Sequence, residues 1–164
     1  MYHVGQSVIH PMHGAGVIEE KATEAARTYY VFRSPVSGLL LRLPEDSCPV
    51  IGIRLPESIE RVRALVEEIP ALTVEEDKNW SRRYRENMER LKSGDLTEVA
   101  RVVKSLMHRD ARRGLSTGER KMLHSAKQIL LSEIALVQRM AYDAAERWIG
   151  DVMMTGARSH GETV

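Results

Sequence analysis

The chain has 164 residues, of which 43% are hydrophobic and 29% charged, and its formal net charge at pH 7 is +1. This composition predicts a folded protein of one or two small domains and excludes a disordered one. The single cysteine, Cys48, excludes an internal disulfide framework, and no apolar run approaches the roughly 20 residues that span a bilayer. Residues 1–5 lack the basic and apolar blocks of a signal peptide, so a cytoplasmic protein with no membrane association is expected.

Charge is distributed unevenly along the chain. Residues 1–77 contain seven Lys and Arg against twelve Asp and Glu, a net charge of −5, and residues 78–164 contain seventeen against eleven, a net charge of +6. The excess is concentrated in residues 78–127, where fourteen basic and six acidic side chains give +8. An acidic half beside a basic segment suggests two different partners, although a solvated helix surface rich in arginine would give the same count.

The first 55 residues are predicted to form short strands separated by turn residues. Strands are expected at residues 8–10, 17–18, 28–32, 39–43 and 49–53, where β-branched and other apolar residues lie between Gly, Pro and Ser. No helix in this part is long enough for a parallel crossover. Four or five short antiparallel strands predict a small β-barrel of SH3 or Tudor type over residues 1–55.

The remaining residues are predicted to form an antiparallel helical bundle over 56–154, followed by a flexible tail at 155–164. Pro56 suits a first helical turn, and apolar residues recur at helical spacing as far as Ile69, where Pro70 ends the helix. The acidic residues 73–77 are expected to form a linker or loop. Together the two parts predict a two-domain α+β fold.

Three further helices are marked by N-cap signals and the breakers that follow them. The signals are Asn79, Asp95-x-x-Glu98 and Ser116-x-x-Glu119. Gly94 ends the helix that begins at residue 80, and Gly114 ends the next one. A last helix is expected over residues 141–153, with Trp148 as a core anchor.

Patterns of catalysis and metal binding are missing from the sequence. His3, His10 and His13 cluster near the N-terminus, but no Cys-x-x-Cys or His-Glu-x-x-His pattern accompanies them. His13 precedes Gly14 and is expected to serve a structural turn. We therefore expect a protein that is not an enzyme and that uses no cofactor and no metal.

The most informative segment is residues 79–85, where a tryptophan stands among arginines at a predicted helix start. On a helix, Trp80, Arg83 and Tyr84 share one face, whereas Arg82 and Arg85 project to neighbouring sides. A helix N-terminus offers free N–H groups to phosphate, guanidinium groups suit phosphate oxygens, and a flat indole can wedge between bases. A tryptophan at a helix start is also commonly a core anchor, and that alternative stays open.

A second basic group surrounds the predicted turn at Gly114 and is suited to extending the same phosphate-facing surface. Its members are Arg109, Arg112, Arg113, Arg120, Lys121 and Lys127.

Motifs in both halves of the chain make it resemble the CarD/CdnL family of bacterial transcription factors over about residues 1–150. The first half carries Val4-Gly5-x-x-Val8-Ile9-x-Pro11-x-His13-Gly14-x-Gly16 and Leu41-Arg42-Leu43-Pro44. The second carries Asn79-Trp80-Ser81-Arg82-Arg83-Tyr84, Gly94-Asp95, Arg112-x-Gly114-Leu115-Ser116 and Glu119-Arg120-x-Met122-Leu123. The two sets together, in this order, make the resemblance strongly specific.

The resemblance implies a Tudor-like N-terminal domain that binds the RNA polymerase β subunit through a strand edge. Arg42 matches a basic residue of that interface, and Arg27 on the neighbouring hairpin is a second candidate. It also implies that the family's DNA wedge falls on Trp80. The side chains that it implies for the DNA backbone are Arg82, Arg83, Arg85, Arg109 and Arg120.

The function implied by the resemblance is to stabilise the open promoter complex. A monomer would dock on polymerase, associate through it with the nucleoid, and place Trp80 in the minor groove at the upstream edge of the bubble, with low sequence specificity. One alternative is a polymerase-bound adaptor that recruits another protein without touching DNA, which predicts a buried Trp80. Another is a general nucleic-acid binder that works without polymerase.

Overall fold

The computed structural model describes residues 1–74 and 78–161, so part of the predicted acidic linker, residues 75–77, lies outside the described residues. The N-terminal part is a four-stranded antiparallel sheet with the strand order β1-β2-β3-β4. Its strands are β1 (Ser7–His10), β2 (Gly14–Glu24), β3 (Arg27–Arg33) and β4 (Leu40–Pro44). The two-part α+β architecture predicted from the sequence is confirmed.

The sequence predicts a closed β-barrel, and this prediction is wrong because the sheet stays open. β1 and β4 lie at opposite edges and do not pair with each other. Four short strands are too few to curl round into a closed barrel. β2 instead packs against a helix of the bundle, α5 (Thr117–Gln138), so the bundle takes part in covering the sheet.

The prediction of a strand at residues 49–53 is wrong, because this segment contains most of a short helix, α1 (Cys48–Ile51). Proline in the first turn of a helix costs nothing, since the N–H that it lacks has no partner there, and Pro49 occupies that position. Gly52 ends the helix with a left-handed φ of 97°, which glycine adopts without strain. Arg54 then forms an isolated antiparallel bridge with Ile9 at the β1 edge of the sheet.

The helices of the C-terminal part begin where the cap residues predict. They are α2 (Ile59–Glu68), α3 (Trp80–Lys92), α4 (Leu96–Arg113), α5 (Thr117–Gln138) and α6 (Tyr142–Gly161). Asn79, Asp95 and Ser116 each accept a backbone N–H of the first turn, as expected of N-caps. α2 starts three residues after Pro56 with Ser58 as its cap, and α6 extends to Gly161, into the segment 155–164 for which a flexible tail is predicted.

Two hydrophobic cores correspond to the two parts of the chain. The smaller core lies on the sheet and includes Tyr30 and Phe32, both fully buried. The larger core joins the helices and includes Ile149 of α6. Trp148 is 37% exposed, so its predicted role as a core anchor is wrong. The buried side of α6 follows Ala145, Ile149 and Met153 at a spacing of four residues, and this leaves Trp148 beside it.

The sheet and the bundle are joined by polar contacts as well as by packing. The backbone N–H of Ala15 donates to Ser132 Oγ at 2.9 Å. Arg54 forms a two-point ion pair with the fully buried carboxylate of Glu133, with N–O distances of 2.8 and 2.7 Å. These contacts hold the sheet part against α5.

Candidate nucleic-acid interface

Trp80 is the first residue of α3 and lies on the surface of the bundle. Its side chain is 45% exposed, so the core-anchor alternative does not fit the structure. The indole ring stacks on Tyr84, one turn later, with 5.0 Å between the ring centroids and 19° between the planes. Its Nε1–H donates to Ser116 Oγ at 3.1 Å. One aromatic face is therefore covered by Tyr84, and the indole edge is held by a residue of a neighbouring helix.

The first turn of α5 lies beside the two stacked rings. A Cβ atom built on Gly118 would be 3.6 Å from both Trp80 and Tyr84. That distance is ordinary van der Waals contact, so the rings approach the backbone of α5 closely at a residue without a side chain. The Trp80–Tyr84 stack thus rests on α5 and does not extend freely from α3.

A buried ion pair lies below this stack. Arg83 Nε donates to Glu119 Oε2 at 2.9 Å, and both side chains are less than a tenth exposed. Arg109 approaches the same carboxylate, with Nε 3.9 Å from Glu119 Oε1. Burial raises the pKa of Glu119, but the hydrogen bonds and charge of Arg83, with Ser116 and Arg109, outweigh burial and hold the pKa below its usual value.

The predicted DNA-backbone arginines divide into two groups. Arg82, Arg85 and Arg120 are exposed, and the last donates from Nε to the Leu115 carbonyl at 3.3 Å. Arg83 is buried in its pair with Glu119, and Arg109 is largely buried beside them. The exposed group lies in the first two turns of α3 and the first turn of α5, near the Trp80–Tyr84 stack, because these helix starts meet through Trp80 and Ser116.

Sequence reasoning missed two residues of this site, Ser116 and Gly118. Ser116 is visible in the sequence as a helix cap, and that role is present, since its Oγ accepts the N–H of Glu119 at 3.2 Å. Its contact with Trp80 joins residues 36 positions apart. No local pattern marks a pairing of that length, so only the packing of α3 on α5 reveals it.

The predicted polymerase-binding arginines lie beside the β4 edge. Arg42 of β4 is about half exposed, forms an ion pair with Glu24, and lies over the Tyr29 ring at 4.3 Å. Arg27 of β3 pairs with Asp46 at 3.0 Å. Within the described sheet, β4 pairs with β3 alone, so its outer side has no strand partner, whereas the β1 edge receives the Arg54 bridge.

Within residues 1–74 and 78–161, no three metal-ligating side chains come together, and no helix is long and apolar enough to span a membrane.

Comparison with known proteins defines the class. Residues 2–54 match the CarD-like/TRCF RID domain, and residues 64–150, just over half of the chain, match the CarD C-terminal domain. A Bacillus subtilis protein named "Putative transcription factor YdeB" is 29% identical over 142 residues, which cover 84% of this chain and 93% of that protein. An RID-type sheet followed by this helical domain defines a transcription regulator that interacts with RNA polymerase.

The chain belongs to the CarD family. The boundaries of the two matched domains fall on either side of residues 55–63, where the sheet part ends and α2 begins.

Proposed function

We propose that this transcription regulator binds the RNA polymerase β subunit through the β4 edge and contacts promoter DNA with Trp80 at the upstream edge of the bubble. The wedge fills the distorted step in the minor groove and slows closure of the DNA. Arg82, Arg85 and Arg120 then contact the phosphate backbone, with Arg109 contributing positive charge behind them.

The observation that carries this proposal is the exposure of Trp80 on a supported surface. The Trp80 side chain is 45% exposed and stacks on Tyr84, so a flat apolar surface faces water where a partner can cover it. The partner is expected to be anionic and flat, because Arg82 and Arg85 stand exposed on the same helix. Minor-groove DNA with an opened base step meets both requirements.

The β4 edge supports the polymerase contact. A sheet edge with unpaired backbone groups is a template for a strand of another protein. Arg42 stands on this edge, held over Tyr29 by a cation–π contact, and presents a charge to an incoming chain. Arg27, at the end of the β2–β3 hairpin, is the second candidate for this contact.

The adaptor alternative predicts a buried Trp80 and does not account for the exposed stack. It keeps the polymerase contact but replaces DNA with a second protein. A general nucleic-acid binder would need no β4 contact. Both alternatives differ from the proposal in what Trp80→Ala does to an open promoter complex.

The test is the lifetime of open complexes formed by the cognate bacterial polymerase, measured by heparin challenge. The wild-type chain is expected to lengthen the lifetime, and Trp80→Ala is expected to lose that effect. Because a wedge offsets a few kcal/mol of unstacking, and each ~1.4 kcal/mol is a factor of ten, the difference should reach about tenfold or more.

Trp148→Ala is the matched control, because it removes the second tryptophan, which is similarly exposed. It is expected to keep the wild-type lifetime, and circular dichroism checks that both variants are folded. Equal lifetimes for wild type and folded Trp80→Ala would refute the wedge. Arg42→Glu should weaken capture of a β-subunit fragment. Arg33→Glu, at the last residue of β3, is the control and should not weaken it.

A further inference from the structure

We infer that Ser116, Glu119 and Arg83 are positioning residues that hold the indole of Trp80 in one orientation before DNA arrives. This inference rests on the proposed function and concerns how the wedge is prepared. The four residues form a closed chain of contacts, here called the positioning network, that runs from α3 to α5 and back.

The network begins at the indole N–H. Trp80 Nε1 donates to Ser116 Oγ at 3.1 Å, and the backbone N–H of Glu119 donates to the same oxygen at 3.2 Å. The Ser116 hydroxyl in turn donates to Glu119 Oε1 at 3.2 Å. A serine hydroxyl has one donor and two acceptor positions, and all three are therefore used. A hydroxyl in this state cannot rotate without losing a bond, so it offers the indole a fixed acceptor.

The network closes through the buried ion pair. Glu119 accepts from Arg83 Nε at 2.9 Å and from Arg83 Nη2 at 3.3 Å. Arg83 lies one turn after Trp80 on α3, and Glu119 lies one turn after Ser116 on α5. The two helices are thus joined at two successive turns. Burial of the ion pair keeps water from competing for these bonds, which are stronger in a medium of low dielectric constant.

This arrangement explains why Arg83 is buried although its neighbours Arg82 and Arg85 are exposed. The exposed arginines lie on the surface that we propose faces DNA, and Arg83 acts through Trp80. A wedge held in its binding orientation loses less side-chain freedom when it enters DNA. Freezing one rotamer-rich side chain corresponds to a factor of about 2 to 10 in affinity.

The experiment uses the full chain with Trp148→Phe, which leaves Trp80 as the single tryptophan. Ser116→Ala removes the acceptor of the indole N–H, and Ser116→Thr keeps a hydroxyl at the same place. The first measurement is the decay of fluorescence anisotropy of Trp80. Ser116→Ala should increase the fast local component, and Ser116→Thr should restore the parent decay.

The second measurement is the open-complex lifetime with the same variants. Ser116→Ala should shorten it about 2- to 10-fold, and Ser116→Thr should restore it. Ser58→Ala is the matched control for the lost helix cap, because Ser58 Oγ accepts an N–H at 3.1 Å at the start of α2. It should cost similar stability and leave both readouts at the parent values.

An unchanged anisotropy decay in Ser116→Ala would overturn the inference. So would a loosened indole with an unchanged lifetime, or an equal loss in Ser58→Ala. Trp80→Ala is measured in parallel, which separates the two ideas. A short lifetime with Trp80→Ala but a long one with Ser116→Ala refutes the positioning role alone, whereas equal lifetimes for parent and Trp80→Ala refute the proposed function itself.

Discussion

Replacing Glu133 by glutamine perturbs the joint between the sheet and the bundle with the smallest possible change of shape. The Glu133 carboxylate is fully buried and accepts two hydrogen bonds from Arg54 and one from the Glu57 N–H at 2.9 Å. Glutamine keeps one oxygen acceptor but places an NH2 group where the other oxygen was. At either oxygen position that group faces an N–H of the Arg54 guanidinium, and at one of the two it also faces the Glu57 N–H; donors facing donors repel.

The expected cost follows from the burial of the two partners. Breaking a buried ion pair by removing one charge costs about 3–5 kcal/mol, because the remaining charge is left without compensation. The Arg54 side chain is 28% exposed and recovers part of its hydration, so we expect a value near the lower limit, about 3 kcal/mol. With an m value of about 2 kcal/mol/M, the urea midpoint should fall by about 1.5 M.

Urea denaturation followed by far-UV circular dichroism measures this loss. The double variant Arg54→Met/Glu133→Leu replaces the pair by apolar side chains and should lie within about 1 kcal/mol of wild type. Asp46→Asn is the control for an exposed pair, since Arg27 and Asp46 are both more than half exposed, and it should cost under about 0.5 kcal/mol. A loss below about 1 kcal/mol for Glu133→Gln, or no recovery in the double variant, would refute this account of the joint.

Two further predictions concern β1 and β2. Gly14→Ala should lower the free energy of unfolding by about 3 kcal/mol in the same urea assay, because φ is +77° and the new Cβ would lie 2.3 Å from Ser132 Oγ; a loss under about 1 kcal/mol would contradict it. Burial, and then the charge of His13, lowers the pKa of His10 to about 4. The unfolded chain therefore binds the extra proton first, and His10 contributes stability above about pH 6.5 that is lost as the pH falls to about 4. His10→Asn keeps an acceptor for the Met12 N–H. Between pH 7 and pH 4, its free energy of unfolding should fall by up to about 3 kcal/mol less than that of wild type. Parallel pH profiles for the two proteins would contradict this prediction.

The helix starts could be predicted from the sequence because caps are local. Asn79, Asp95 and Ser116 each bond to an N–H two or three residues later, and that information lies within one short window. The strand prediction for residues 49–53 failed for the opposite reason. Its apolar residues suit a strand or a helix equally, and the position of Pro49 in a first turn becomes visible only when the neighbouring backbone is known.

The two tryptophans show where prediction of the candidate site reaches its limit. The sequence identified the composition around Trp80 as unusual, and that segment does form an exposed helix start. The sequence also indicated that Arg83 shares a helix face with Trp80. It did not indicate that Arg83 is buried in a pair with the Glu119 carboxylate. For Trp148 a small-residue environment suggested burial, whereas the face of α6 that packs is set by contacts with other helices. Burial of single side chains is decided by such long-range contacts.

The Arg54–Glu133 pair between sheet and bundle and the positioning network around Trp80 have one physical consequence in common. If polymerase and DNA are bound by separate surfaces, as we propose, the second contact forms within one complex, and its strength depends on how well the first contact orients it. A flexible connection would spread Trp80 over many positions and lower its effective concentration at the bubble. The Arg54–Glu133 pair limits rotation between sheet and bundle, and Ser116 limits rotation of the indole on the bundle. Loosening either contact should weaken open-complex stabilisation, although none of Arg54, Glu133 and Ser116 is expected to touch polymerase or DNA.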